Sequence, residues 1–324
     1  MQVLEQQSET QDWVSEEPLF LEGGGLLPEV TIRYTSAGRL NDRKDNVIWV
    51  FHALTANSDP FEWWSGLFGD GALFDLERYF IVCANMQGSC YGSTAPSDGE
   101  FPLLTIYDMV AAHKRLQQHL GIEKIAIGIG GSMGGQQLLE WAVQDPELFE
   151  TIIPIATNAS HSAWGIAFNE AQRMALSNPN KEKGLEAARA IAMLSYRHYK
   201  TYDQTQKDLD QRWDQFSAAS YQQYQGYKLR KRFSPESYYT LSKAMDSHHL
   251  GRHYSSMEEA LSRIQANTLV IGIETDVLFP IEEQRFLAEG IKDARLEVIY
   301  SDYGHDGFLV ETEAIGQVIR DFLS

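Results

Sequence analysis

The chain has 324 residues, 43% of them hydrophobic, and its 45 acidic against 27 basic side chains give a formal charge of −18. That length and apolar content suffice for one large domain, or a core with an insertion, and set disorder aside. A field so negative repels phosphate, which argues against nucleic-acid and anionic-membrane surfaces and leaves an enzyme of small molecules.

The amino terminus, Met1-Gln-Val-Leu-Glu-Gln-Gln-Ser-Glu, has neither a basic start nor an apolar run, and no later segment approaches the roughly 18 apolar residues of a membrane span. No membrane contact is expected. Apolar runs then alternate with helical periods. Val47-Ile-Trp-Val-Phe51 ends at His52-Ala-Leu-Thr, and Tyr79-Phe-Ile-Val-Cys-Ala84 ends at Asn85. Cys83 and Cys90 fall in one strand-to-loop segment, too few for a disulfide framework or a zinc site, so no metal and a reducing cytoplasm are expected. From Ile106 to Leu120, Met109, Val110, Leu116 and Leu120 share one helical face. Further strands are expected at Lys124 to Ile129 and Thr151 to Ala156. From about Asn158 to Arg252 the pattern is helical and rich in Ala, Gln, Tyr and Lys, and alternation resumes at Thr268 to Ile273 and Leu296 to Tyr300. This order implies an α/β fold, with a mostly parallel central sheet covered by helices on both faces. The core is residues 1–157 and 253–324, and 158–252 is a helical lid insertion.

Gly130-Gly131-Ser132-Met133-Gly134 matches Gly-x-Ser-x-Gly between a strand and a helix. In a nucleophile elbow the serine sits on a strained turn, and flanking glycines let the backbone double back tightly. A phosphate-binding loop is the weaker alternative, because no Gly-Lys-Ser/Thr follows. A serine nucleophile needs an acid and a histidine later in the chain, at strand ends. Asp276 follows the run ending at Ile273, and His305 lies in Asp302-Tyr-Gly-His-Asp-Gly after the next. Glu274 is the rival acid, one step inside the strand end. The oxyanion hole is expected from the N–H groups of Met133 and of Leu54 in the His52-Ala-Leu-Thr55 loop, with His52 itself a hydrogen-bonded loop residue.

The residues carrying this pattern resemble the homoserine O-acyltransferases of the α/β-hydrolase superfamily. The shared blocks are Phe51-His-Ala-Leu-Thr, Cys90-Tyr-Gly-Ser-Thr-Ala-Pro-Ser97, Thr105-Ile-Tyr-Asp-Met-Val110, Gly130-Gly-Ser-Met-Gly-Gly135 with Leu139-Glu-Trp-Ala142, Ser162-Ala-Trp-Gly-Ile-Ala-Phe-Asn-Glu170, Met193-Leu-Ser-Tyr-Arg197, Asp276-Val-Leu-Phe-Pro280 and Tyr303-Gly-His-Asp306. The resemblance implies an α/β-hydrolase fold and transfer of an acyl group, acetyl in particular, from acyl-CoA to the hydroxyl of an amino acid, L-homoserine. It implies a ping-pong mechanism early in methionine biosynthesis, with acyl-CoA as co-substrate and no bound cofactor. Ser132, Asp276 and His305 align with the family's triad. Arg173 aligns with the arginine that holds the substrate carboxylate, and Asp306 with the carboxylate that meets the substrate amine. Plainer readings are a solvated helix arginine for Arg173, a helix cap for Asp306, and lid packing for Tyr196 and Arg197. Asp246 and Arg252 are candidates for a structural ion pair near the pocket.

Departures from the family pattern cluster in loops. Only Ser-Asp-Gly-Glu separates Pro96 from Phe101, Gln87-Gly-Ser89 replaces a more apolar stretch, and His249 stands where aspartate is common. The short 97–100 loop keeps a second reading open, an esterase or thioesterase that admits water, beside a third, a non-catalytic paralogue. Trp164, Tyr196, Tyr199 and Phe61-Glu-Trp-Trp64 are the aromatics expected to keep the acyl site dry. Acetyl or succinyl donor, homoserine or serine acceptor, and monomer or homodimer stay open at this point.

Overall fold

A computed structural model describes residues 8–97 and 101–324; Met1 to Gln7 and residues 98–100, which include most of the shortened loop, lie outside the described residues. The strands are β1 (Ser8–Ser15), β2 (Leu19–Phe20), β3 (Leu26–Leu27), β4 (Val30–Ala37), β5 (Val47–Phe51), β6 (Phe80–Ala84), β7 (Ile125–Gly131), β8 (Phe149–Ile155), β9 (Asn267–Ile273) and β10 (Arg295–Ile299). Eight of them form one sheet in the order β1-β4-β6-β5-β7-β8-β9-β10, while β2 and β3 make a small hairpin. From β6 to β10 every pairing is parallel, and β4 joins β6 antiparallel with β1 on its outer edge. The protein thus has the mostly parallel sheet that the alternation implied.

The antiparallel edge had no place in the reading from apolar runs. Its signal is Val30, Ile32 and Tyr34 alternating along β4, each buried, whereas β1 is polar and exposed over most of its length and is held by pairing. Strand β5 shows why both faces need cover. All five of its residues are buried, with Val47, Trp49 and Phe51 in one core and Ile48 and Val50 in the other. A strand buried on both faces lies inside a layered sheet, as parallel strands require.

The helices are α1 (Pro60–Trp63), α2 (Ile106–His119), α3 (Met133–Gln144), α4 (Ala163–Leu176), α5 (Lys181–Tyr196), α6 (Tyr199–Thr205), α7 (Ser217–Arg230), α8 (Pro235–Asp246), α9 (Met257–Ser262), α10 (Ile281–Gly290), α11 (Gly307–Val310) and α12 (Thr312–Leu323). Helix α2 starts at a reciprocal cap, in which Thr105 accepts from the Asp108 N–H and the Asp108 carboxylate accepts from the Thr105 N–H. Met109 and Leu116 of α2 and Leu138 of α3 pack on one sheet face, Ile315 and Ile319 of α12 on the other. Helices α4 to α8 run between β8 and β9 with no strand among the described residues there, apart from a single Ser160–His249 bridge. No helix is long and apolar enough to cross a membrane.

Candidate active site

Strand β7 ends at Gly131 and α3 begins at Met133, so Ser132 is the whole turn. Its backbone has φ 56° and ψ −127°, a left-handed conformation that a side chain adopts only when the surroundings impose it. Those surroundings are visible. The Ser132 N–H donates to the Ile155 carbonyl at 2.9 Å, and Thr157 Oγ1 donates to the Ser132 carbonyl at 2.8 Å. A Cβ on Gly130 would meet the Gly134 carbonyl group at 2.6 Å, and one on Gly134 would stand 2.1 Å from the Phe51 oxygen. The glycines are therefore needed because β5, β7 and α3 cross at backbone distance around the serine.

His305 is carried by the short helical turn after β10 and Asp276 by the loop after β9. His305 Nε2 lies 2.9 Å from Ser132 Oγ, and His305 Nδ1 lies 2.6 Å from Asp276 Oδ2. The other carboxylate oxygen, Oδ1, accepts from the Leu278 and Phe279 N–H groups at 2.8 and 2.9 Å. Both oxygens are thus occupied and the carboxylate cannot swing away from the imidazole. The ring is also wedged between aromatics, stacked on Phe279 at 5.1 Å and tilted against Phe308 at 5.1 Å. Glu274, the rival acid, is exposed, and its backbone N–H is taken by the Ile299 carbonyl at the strand end. Ser132, His305 and Asp276 are all buried.

Ser132 and His305 form part of the wall of a cavity of about 430 Å³ that Leu54, Trp63, Tyr196 and Asp306 also line. Leu54 is in the loop after β5 and lines the same cavity as Ser132, and Met133 opens α3, where its N–H has no acceptor within the helix. His52 is a neutral strut. Its Nε2 accepts from the Met86 N–H at 3.1 Å, its Nδ1 donates to the Ala53 carbonyl at 2.9 Å, and burial holds its pKa down at about 4. One carboxylate near the site was not anticipated. Burial pushes Glu283 on α10 up to about 6, against hydrogen bonds from Ser162 and Asn158 and with the Asp276 charge adding to the rise.

Arg173 stands elsewhere. Its guanidinium pairs with Asp246 at 2.6 Å and Glu170 at 2.7 Å and lines a different, larger cavity of about 540 Å³ between α4, α5 and α8. Helix α4 turns Arg173 toward α8, where the half-buried Asp246 carboxylate takes it, so the structure does not place Arg173 at the wall of the cavity that holds Ser132, where the expected substrate role would need it. The expected Asp246–Arg252 pair is corrected with it, since Arg252 lies 3.6 Å from Glu22 instead. Asp306 does line the triad cavity, and the cation beside it is Arg197, with Nε at 2.7 Å from Oδ2. Of the expected aromatic wall, Tyr196 and Trp63 line the cavity. Trp164 and Tyr199 are largely exposed, the former bonded to the Val277 carbonyl. The cavity also gathers Arg189, Lys228 and Arg232, three cations that no spacing in the sequence marked.

The Arg173–Asp246 pair has a measurable consequence. Their side chains are 5% and 12% exposed, so Arg173→Ala leaves a largely buried carboxylate without its cation, a loss of about 3–5 kcal/mol. The chemical-denaturation midpoint should fall accordingly, and Arg173→Met with Asp246→Leu should recover most of it. A single variant as stable as wild type would count against a structural role.

An α/β-hydrolase-fold family model matches residues 46–312. A homoserine O-acetyltransferase of Cyclobacterium marinum is 47% identical over 326 residues, covering 95% of this chain and 93% of that one. Among solved structures, homoserine O-acetyltransferase from Staphylococcus aureus superposes with a TM-score of 0.87 at 30% identity, covering 98% of this chain and 95% of that one. Esterase E22 superposes with a TM-score of 0.90 at 22% identity over 98% of this chain and 100% of that one, a likeness of fold alone.

Proposed function

This chain is an enzyme of the homoserine O-acetyltransferase family within the α/β-hydrolase fold, and from that premise we propose that it transfers an acetyl group from acetyl-CoA to the side-chain hydroxyl of L-homoserine by way of Ser132. The observation that carries the reading is the continuous line from Asp276 through His305 to Ser132 Oγ, closed at 2.6 and 2.9 Å at the wall of one cavity.

Ser132 Oγ attacks the thioester carbonyl as His305 Nε2 takes its proton, and the Leu54 and Met133 N–H groups hold the developing oxyanion. The imidazolium then protonates the departing thiolate, which leaves acetyl-Ser132. Homoserine enters, its hydroxyl gives a proton to His305 Nε2 and attacks the acyl carbon, and Ser132 recovers its proton as the ester leaves. Throughout, Asp276 keeps the Nδ1–H in place and offsets the imidazolium charge. A zwitterionic acceptor needs an anion for its amine and a cation for its carboxylate. Asp306, which lines the cavity next to the base, is the anion of that pair, and Arg197, bonded to it at 2.7 Å, is the cation we assign to the carboxylate.

Two measurements test the reading together. With acetyl-CoA alone the enzyme should release one equivalent of thiol and hold the acyl group. With homoserine added, thiol release should become continuous and match the O-acetylhomoserine formed. Thiol release independent of homoserine would identify a thioesterase instead. Arg197→Ala should still be acetylated yet transfer poorly, with kcat/KM for homoserine down about 10- to 150-fold for one lost charge-assisted contact. Wild-type transfer by that variant would remove Arg197 from acceptor binding.

A further inference from the structure

Helix α10 is capped by Pro280, just past the Leu278 and Phe279 N–H groups that hold Asp276, so its first turn rides on the acid loop. Two side chains of that turn reach across to the nucleophile. Gln284 Nε2 donates to the Thr157 carbonyl at 2.6 Å, and Thr157 Oγ1 donates to the Ser132 carbonyl. Glu283 Oε2 accepts from Asn158 Nδ2 at 2.9 Å, and Asn158 Oδ1 accepts from Gln136 Nε2 at 3.0 Å, in the first turn of the helix that Ser132 caps. The Gln136 N–H in turn donates to the Ser132 carbonyl at 3.2 Å. Acid loop and nucleophile turn, carried by different strands, are thus spanned by two side-chain bridges. Thr157, Asn158, Gln136 and Gln284 are buried, so water does not compete for these bonds.

Glu283 is the ionisable member of the bridges, and no cation meets it. Among the described residues its carboxylate takes the Asn158 amide and the Ser162 hydroxyl, and the charge acting on it is that of Asp276. His161, on the same segment, is kept neutral by burial, which holds its pKa down at about 4, and Glu282 and Arg285 of α10 are exposed. A half-buried carboxylate beside a second one and without a cation costs stability. A glutamine in its place would accept from Asn158 without that cost. What the position adds to the bridge is therefore its charge.

We propose that Glu283 is a positioning residue of the acyl-transfer site, which fixes Ser132 against the acid loop through Asn158 and Gln136 and, by its charge beside Asp276, supports the imidazolium that His305 becomes during the reaction. This rests on the acyl-serine reading above and deepens it, because it adds a second carboxylate behind the triad. Glu283 does not line the triad cavity, so it acts through other residues. Hydrogen bonds to an ionised acceptor are shorter and stronger than neutral ones, and a fixed charge stabilises a developing opposite charge without having to reorganise.

The test is the rate of Ser132 acylation by p-nitrophenyl acetate, followed by release of p-nitrophenol, for wild type and Glu283→Gln between pH 8 and pH 5.5. This activated ester keeps the measurement independent of the natural donor. At pH 8 the variant should be about 5- to 10-fold slower, the difference between a charged and a neutral contact. By pH 5.5 the deficit should shrink to about 2- to 3-fold, because wild-type Glu283, which titrates at about 6, has then given up most of its charge as well. A residue that only fills space gives a constant ratio. In an Asn158→Ala background Glu283→Gln should cost less than it does alone, since both substitutions cut one bridge. A Glu283→Gln enzyme as fast as wild type at pH 8, a deficit that stays constant with pH, or full additivity with Asn158→Ala overturns the assignment. Acylation of wild type by p-nitrophenyl acetate and not by acetyl-CoA would sink the donor reading alone, and the Glu283 comparison would still decide the positioning role.

Discussion

Ser132→Ala should lower turnover by about 10⁶-fold, the scale on which loss of a triad serine acts, and intact-mass analysis after brief exposure to acetyl-CoA should show one acetyl adduct on wild type alone. The variant removes a single oxygen whose hydrogen-bond partner is His305 Nε2 at 2.9 Å. It keeps the Cβ, and so keeps both the packing and the backbone strain of a residue at φ 56°. Its melting temperature should stay close to wild type. Ser132→Gly should be equally inactive but more stable than the alanine variant by about 1 kcal/mol, because glycine adopts that φ without a steric penalty. An acetyl adduct surviving on the alanine variant would exclude Ser132 as nucleophile. A glycine variant less stable than the alanine one would show that the turn carries no strain.

Asp276→Asn should cost about 10⁴-fold in turnover with the fold intact. The amide can still accept the Leu278 and Phe279 N–H groups through its oxygen, and the loop after β9 keeps its course. What then faces His305 Nδ1 is an NH₂ donor in place of an oxygen at 2.6 Å. That donor favours the tautomer with its proton on Nε2, the nitrogen that has to receive the serine proton. It also leaves the imidazolium formed during acylation without a counter-charge. Glu274→Gln is the control, since Glu274 is exposed and outside the hydrogen-bonded line. A crippled Glu274→Gln beside a nearly normal Asp276→Asn would reverse the choice of acid.

These two predictions depend on different parts of the chain's information. Asp276 and His305 were legible because each follows an apolar run at a strand end and the chain order of acid and base is set by the topology of the sheet. The preference for Asp276 over Glu274, two residues apart, was already available from strand-end placement, and the structure supplies its physical reason. The strand's last ladder contact leaves Glu274 in solvent and turns Asp276 inward. Arg173 shows the opposite failure. A motif placed it in substrate binding, yet helix periodicity states which face a residue is on and not what packs against that face. The partner, Asp246, is 73 residues away by the numbering and meets Arg173 only when α4 and α8 are packed together.

The sequence by itself determined the alternating strands and helices, the parallel core, the strained serine turn and the order of nucleophile, acid and base. All of these follow from local periodicity, from glycine where backbones cross, and from strand-end placement, which neighbouring residues encode. The antiparallel edge made by β1 and β4 has a weaker local signal, since β1 is polar and is held by its partner. Tertiary structure alone decided which arginine stands beside Asp306, which aromatics line the cavity, and that Arg189, Lys228 and Arg232 line it together. Each of these depends on contacts between helices far apart in the chain. Long charged side chains have several rotamers and several candidate partners, so their pairing is settled by packing, through the carboxylates that other cations have already taken.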